Sequence, residues 1–288
     1  MFFRHIGEQG HYAGRTKPSP TRQGLYITGV DGNLLASLNS TDVGRVLELI
    51  KQGLAKWESK RSIGKSFRDS NEPDERYDVT FPEGGIVLRQ TMRDLPDSET
   101  PQLRIGRHNF DHVWLTADQK KGFLPSKFKV GHVWKIPDAT VRQLAAFHLI
   151  DQVRGESWPF DMEHVKKAKL LAKVAAIDGD NVTIQLKGEV NNVKPATHVR
   201  NPYNGRTVSH DIVINVTIRG WLTYDNSKKE FESFKLLAAG KRSGSDVYNS
   251  RWKNLGPSSI GFAFEMVEDI PSNRIRPKFA DQEAYKGK

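Results

Sequence analysis

Two histidines four residues apart form the first pattern in this chain that suggests chemistry. In His108-Asn-Phe-Asp-His112 the imidazoles would share one face of a helix and could hold zinc or iron, with Asp111 orienting them. The segment follows Gly106 and runs into the β-favouring Val113-Trp114-Leu115, so a strand competes with that helix. No Glu follows the first His, as a metalloprotease motif would require. The expectation is a structural pair and no metal, with a metal-dependent hydrolase using His108 and His112 as an alternative.

A second set lies in His148-Leu-Ile-Asp-Gln-Val-Arg-Gly-Glu156. Asp151 and Arg154 stand about one helical turn apart, which favours an ion pair at a helix end. His148, Asp151, Arg154 and Glu156 together form a candidate polar network. A carboxylate there, or Asp161, beside an activated His would suit acid–base work, but capping accounts for the same spacing. No catalytic residue is assigned.

Cations beside aromatics make the third set. They are Lys120-Lys121-Gly-Phe123 with Lys127-Phe128-Lys129, then Arg200-Asn-Pro-Tyr203-Asn-Gly-Arg206, then Arg251-Trp252-Lys253. Such loops contact phosphates and stack on bases. No basic run exceeds two residues, however, and Asp118, Asp211 and Asp246 dilute the clusters. Phosphate-loop and dinucleotide glycine patterns are absent, and Gly240-Lys-Arg-Ser-Gly244 departs from a nucleophile elbow at its first glycine.

Composition narrows the field further. The 288 residues carry 44 Lys and Arg against 34 Asp and Glu, a formal net charge of +10, and no cysteine. Disulfides, Cys-ligated zinc, iron–sulfur clusters and thiol catalysis are excluded. The positive balance makes nucleic acid or another polyanion a partner to weigh. No apolar run reaches the ~18 residues of a membrane span. Met1 to Lys17 lacks the apolar core of a secretory signal.

The elements that must position these residues are legible in outline. Residues 1–23 read as an irregular lead-in. Residues 24–60 read as a β–β–α unit: Leu25 to Ile27 and Leu34 to Leu38 are strands around Asp31-Gly32-Asn33. Caps at Asn39 to Thr41 then open a helix of ~15–17 residues, whose apolar stripe is Val43, Val46, Leu47, Ile50, Leu54 and Trp57. Residues 61–76 are a linker. Residues 77–165 form a mixed region with a strand near Ile86 to Leu95 and a helix over 137–153.

Residues 166–270 alternate as an antiparallel β domain. Its strands are Lys169–Ile177, Val182–Leu186, Ile212–Tyr224, Phe231–Ala239 and Ile260–Met266, with a long polar loop over Asn191 to His210. Alternation slips between Phe231 and Phe234, as a bulge would make it. Residues 271–288 are a basic, frayed tail.

This order of segments resembles a known family. Tyr26-Ile-Thr-Gly-Val-Asp-Gly-Asn-Leu-Leu-Ala and the helix ending Gly53-Leu-Ala-Lys-Trp57 resemble the closing β–β–α portion of thioredoxin-like domains. Asn109-Phe-Asp-His-Val-Trp-Leu, Phe147 to Glu156 and the Gly220 to Gly240 hairpin are similar to the C-terminal half of large bacterial thioredoxin-like proteins. The resemblance implies an upstream redox segment with a Cys pair, which this chain does not contain. No catalytic residue carries over. It also implies export, and Met1 to Gly14 reads like the middle of a protein.

The expected fold is α+β: a small β–β–α unit, a mixed region, then a curled antiparallel sheet of about five strands. The expected function is a non-catalytic binding or accessory module associated with a thioredoxin-like protein, as the resemblance implies, for an unknown ligand or protein partner and with no cofactor. Tyr203, Arg206, Trp221 and Trp252 would converge in the mouth of the sheet. Polyanion binding by the basic loops is an alternative.

Overall fold

The computed structural model describes residues 24–29, 34–60, 80–96, 108–200, 205–270, 273–280, 282 and 285, in two compact units divided after Asp78. In the first unit β1 (Leu25–Thr28) pairs antiparallel with β2 (Leu34–Leu38), and α1 (Val43–Lys60) follows. Asp31-Gly32-Asn33 lies outside the described residues. Asp42 caps α1 by accepting the Arg45 N–H at 2.9 Å.

The helix is rotated from the stripe expected of it. Leu49 and Gly53 are buried, while Val43, Leu47, Ile50 and Leu54 are exposed. Gly53 explains the rotation. Its missing side chain lets Ile27 approach so closely that a Cβ would sit 2.7 Å from Ile27 Cγ2.

The second unit overturns the expected fold class. The chain is mostly β, with an extended sheet of eight strands among the described residues in place of a curled one of about five. Its strands are β3 (Ile86–Asp94), β4 (His108–Leu115), β5 (Val133–Lys135), β6 (Val165–Asp178), β7 (Asn181–Arg200), β8 (Thr207–Asp225), β9 (Glu230–Ser243) and β10 (Ser258–Met266). The order is β4-β3-β10-β9-β8-β7-β6-β5, antiparallel throughout. β6 to β10 are the five expected strands. β3 and β4 lengthen that sheet along the free edge of β10, and β5 lengthens it along β6, so they are not a separate mixed region.

Local chemistry sets the turns. Gly179 takes φ +56° between β6 and β7, a conformation only glycine adopts freely. After β8, Asp225 accepts from the Ser227 N–H at 2.8 Å, the Ser227 hydroxyl at 2.6 Å and the Lys228 N–H at 3.0 Å. Those bonds hold its carboxyl well below the usual carboxylate range. The register of β8 on β9 skips Glu232 between Phe231 and Ser233, the bulge that the slipped alternation indicates. Most of the expected loop Asn191 to His210 is strand. Residues 191–200 and 207–210 extend β7 and β8 as a paired ribbon, because backbone hydrogen bonds need no apolar alternation, and residues 201–204 lie outside the described residues.

One face of the sheet is covered. α2 (Ala117–Lys121), α3 (Asp138–Phe147) and the segments around them contribute Phe123, Ile136, Val141, Leu144, Phe147 and Phe160 to the core. The sheet contributes Leu186, Ile218, Leu236, Phe262, Leu88 and Val113, among others. The chain past Pro271 does not fray at Phe279 and Tyr285, which are buried with their rings 6.5 and 5.2 Å from Phe147.

α3 ends at Phe147, short of the expected 153, and the sheet satisfies its last carbonyls. From β7, Asn192 Nδ2 donates to Ala145 O at 2.7 Å. From β3, Gln90 Nε2 donates to His148 O. Both amide side chains are fully buried. Leaving such a carbonyl unsatisfied costs about 1–3 kcal/mol. Asn192→Ala should therefore lower the unfolding free energy by about 1–3 kcal/mol in urea. Asn215→Ala, on the exposed side of β8, should change it by less than about 0.5 kcal/mol. Equal small effects would contradict this role.

Candidate functional site

Five charged side chains meet beneath the β3–β10–β9 end of the sheet. Arg251, fully buried, donates from Nη2 to Asp94 Oδ1 at 2.6 Å and from Nε to Asp151 Oδ2 at 2.7 Å. Arg242, also buried, brings Nε to 2.9 Å from Asp151 Oδ2 and donates from Nη1 to Asn254 O at 2.7 Å. Arg154 donates from Nε to Asp94 Oδ2 at 2.8 Å.

Burial alone would raise the Asp94 pKa, but Arg251 and Arg154 outweigh it and hold the carboxyl below its ordinary value. Its contribution to stability is therefore present above the unfolded-state carboxylate pKa and is lost as pH falls through the lowered one. Burial pushes the Arg242 guanidinium down to about 10, against the pull of Asp151, so it stays charged at neutral pH.

Sequence spacing pointed to part of this network. Asp151 and Arg154 both belong to it, yet each takes a partner from elsewhere: Arg154 holds Asp94, and Asp151 holds Arg251 and Arg242. Asp94, Arg242 and Arg251 were not found by spacing, because ion pairs across 100 or 157 residues have no local signal. Arg251 belongs to the core and not to a basic surface loop.

His148 lies nearby in a second buried group. Its Nε2 is 3.1 Å from the Tyr285 hydroxyl, and its Nδ1 is 3.4 Å from Asp111 Oδ2. Asp111 Oδ1 accepts the backbone N–H of His112 at 2.8 Å and of Lys278 at 3.0 Å. Burial pushes the Tyr285 phenol up, with the Asp111 charge adding to it. These bonds tie the C-terminal segment to α3 and β4. Glu156 stays exposed, with its backbone bridged to Tyr248 and its carboxylate 3.5 Å from Lys278.

Among the described residues, the space beside the first buried group is small. The crevice beside Asp151, lined by Ser157, Trp158, Phe160, Lys194 and Asp246, has a volume of about 10 Å³. That is room for about one water. In the first unit a wide depression of about 460 Å³ lies between β2 and α1, with Asp42, Arg45 and Glu48 on its wall. Among the described residues that unit has no buried polar side chain.

His108 and His112 lie on β4, a strand and not a helix. Four residues of strand separate them by about 13 Å, too far for two imidazoles to share one tetrahedral ion. Among the described residues no cluster of three or more potential metal ligands occurs. His112 is buried, and its pKa is lowered chiefly by that burial, with Arg89 adding to it and Asp111 opposing.

Of the four residues expected to converge, the described ones Arg206 and Trp221 do not share one mouth. Tyr203 lies outside the described residues. Arg206 precedes the first residue of β8, while Trp221 lies fourteen residues along the same strand, about 45 Å away. Trp252 is half-buried in the β9–β10 loop, next to the buried Arg251.

Trp221 leads instead to the uncovered face of the sheet. Cross-strand register places Lys173, Gln185, Trp221, Lys235, Glu265 and Arg89 in one row. The next row is Leu171, Lys187, Arg219, Leu237, Ala263 and Thr91, ending at Phe110 on β4. A third is Lys169, Glu189, Thr217, Ala239, Gly261 and Arg93.

These rows carry seven cations, all exposed, against two carboxylates, a surplus of five out of the net +10 of the whole chain. Both carboxylates already face a lysine: Glu265 lies 3.3 Å from Lys235, and Glu189 lies 2.8 Å from Lys167. Apolar groups stand among the cations. Trp221, Leu237 and Phe110 are 47%, 52% and 44% exposed. The Arg89 guanidinium sits 4.3 Å over the Phe110 ring, and the His108 ring meets it edge-on at 4.9 Å.

No family model matches the chain, and no curated protein or solved structure matches it. Nothing in these comparisons identifies a thioredoxin-like origin.

Two buried arginines depend on Asp151, so neutralising it should be costly. Removing one partner from a buried ion pair costs about 3–5 kcal/mol, because the other charge is left uncompensated. Asp151→Asn should lower stability by about that much in chemical denaturation. A loss below about 1 kcal/mol, the value of an exposed pair, would show that the network is solvated.

Proposed function

We propose that this chain is a non-catalytic binding module that holds a polyanion on the open face of its sheet. The observation that carries the reading is the surplus of five positive charges, set among exposed aromatic and aliphatic side chains, on the sheet face opposite the core. The C-terminal segment reaches that face at the β3–β4 margin, where Trp114 Nε1 donates to Ile275 O at 3.1 Å and Val87 and His112 are buried. Like charges side by side on a sheet repel. A ligand that supplies negative charge in a line would relieve that repulsion and release counterions. The buried Asp–Arg network supports the module indirectly by fixing the strands that display those cations.

The seat of binding differs from the basic loops that sequence alone suggests. Arg251 is neutralised in the core, and the cations that matter are the alternate residues of regular strands.

The test is titration of a labelled heparin fragment and a labelled DNA duplex with the purified chain between 50 and 200 mM salt. With about five phosphates neutralised on the duplex, the log–log slope should be near −4.5. Lys187→Glu combined with Arg219→Glu should weaken binding to both probes and flatten the slope by about 2. Absent binding at low salt, or binding indifferent to both salt and charge reversal, would contradict the reading.

A further inference from the structure

Resting on that reading of the open face, we propose that the polyanion is a single-stranded nucleic acid whose bases stack on Trp221 and Phe110 while the cations between them hold its phosphates. Charge alone would serve any polyanion, so the aromatics decide the class. Trp221 is 47% exposed on β8, an interior strand of the sheet, where packing does not require a large ring. On its own row it has Lys235 as cross-strand neighbour, and Arg219 lies two residues back along the same face.

Phe110, on the sheet's edge strand, meets Arg89 over one face of its ring and His108 edge-on, and remains 44% exposed. Four strand spacings and one row separate Trp221 from Phe110, about 20 Å. That span carries Lys235, Glu265, Arg89 and Leu237 between the two rings, with Glu265 3.3 Å from Lys235, while Arg219 and Lys187 flank Trp221 on the next row. An extended single strand presents both of its groups at once: unstacked bases for the rings and phosphates for the cations.

A duplex keeps its bases stacked inside the helix, where side chains on a broad sheet face do not reach them. A sulfated polysaccharide has no flat aromatic group to place on an indole. An anionic membrane would use the charge, and its interface also accepts Trp and Leu. It is the competing occupant that the experiment must separate.

The experiment measures binding of the full chain to four probes at one salt concentration. They are a labelled 20-nucleotide oligothymidylate, the same strand annealed to its complement, a heparin fragment, and vesicles containing phosphatidylserine. Each is titrated with the unaltered chain, Trp221→Ala and Trp221→Phe. Both variants are checked by circular dichroism and thermal melting to confirm the native fold.

The single strand should bind at least tenfold tighter than the duplex. Trp221→Ala should weaken single-strand binding by about 5- to 150-fold, the value of one stacked base, and leave heparin unchanged. Trp221→Phe should keep most of the affinity, because it keeps a ring. Phe110→Ala should act in the same direction as Trp221→Ala.

If heparin, duplex and single strand bind alike and Trp221→Ala changes none of them, stacking is refuted while polyanion binding stands. If vesicles bind and Trp221→Ala releases them while the oligonucleotide does not bind, the occupant is a membrane surface and the inference fails. If no probe binds, both this inference and the polyanion reading fall.

Discussion

A sheet of eight strands has two faces, and the described residues supply a covering layer for one and touch the other at the β3–β4 margin, where Trp114 donates to Ile275 O. On the covered side, aliphatic and aromatic side chains from β3, β4 and β6 to β10 meet α3 and the segments around it, and water is excluded. That burial is the main favourable term in folding. It also fixes the other face, because side chains alternate along a strand and register aligns them across the sheet. Once Leu186, Ile218 and Leu236 point inward, Lys187, Arg219 and Leu237 must point out. A one-residue slip would exchange the two sets and put several cations in the core, so the register and the open face are specified together.

The polar groups of the core do a different job. Where strands β3, β9 and β10 end, backbone and loops must be held without apolar alternation, and the chain uses charge there. Arg251 joins Asp94 at the end of β3 to Asp151 after α3, while Arg242 anchors the β9–β10 loop through Asn254. In a low-dielectric interior such pairs need near-complete satisfaction to offset their desolvation. Their geometry is that of supports: every carboxylate oxygen of Asp94 and Asp151 faces an arginine. Neither side chain is left available for proton transfer.

Much of this was legible in sequence, but unevenly. The alternation from Lys169 to Met266 locates β6 to β10, and even the bulge at Glu232 shows in the spacing of Phe231 and Phe234. The partners β3, β4 and β5 were not legible as members of the same sheet, because pairing across more than a hundred residues has no local signature. Asn191 to His210 reads as a loop for the same reason: residues 191–200 and 207–210 are mostly polar, and their pairing across the ribbon has no apolar alternation to announce it.

In α1 the stripe was read from hydrophobicity, whereas the contact is set by Gly53, whose value is its lack of a side chain. The candidate site was present in the sequence all along, as the polar half of each alternating strand. It was missed because basic residues spaced by two do not look like a cluster until neighbouring strands bring Lys187, Arg219 and Leu237 side by side.

The chain has no cysteine, so single thiols can report directly which face is open. The decisive measurement is the maleimide labelling rate of Leu237→Cys compared with Leu236→Cys, adjacent residues of β9 on opposite faces. The thiol at 237 should label at nearly the rate of a free thiol, and the thiol at 236 only as fast as the sheet opens. Equal rates, or a protected residue 237, would mean that the face carrying Trp221 and the cations is covered and cannot hold a polyanion.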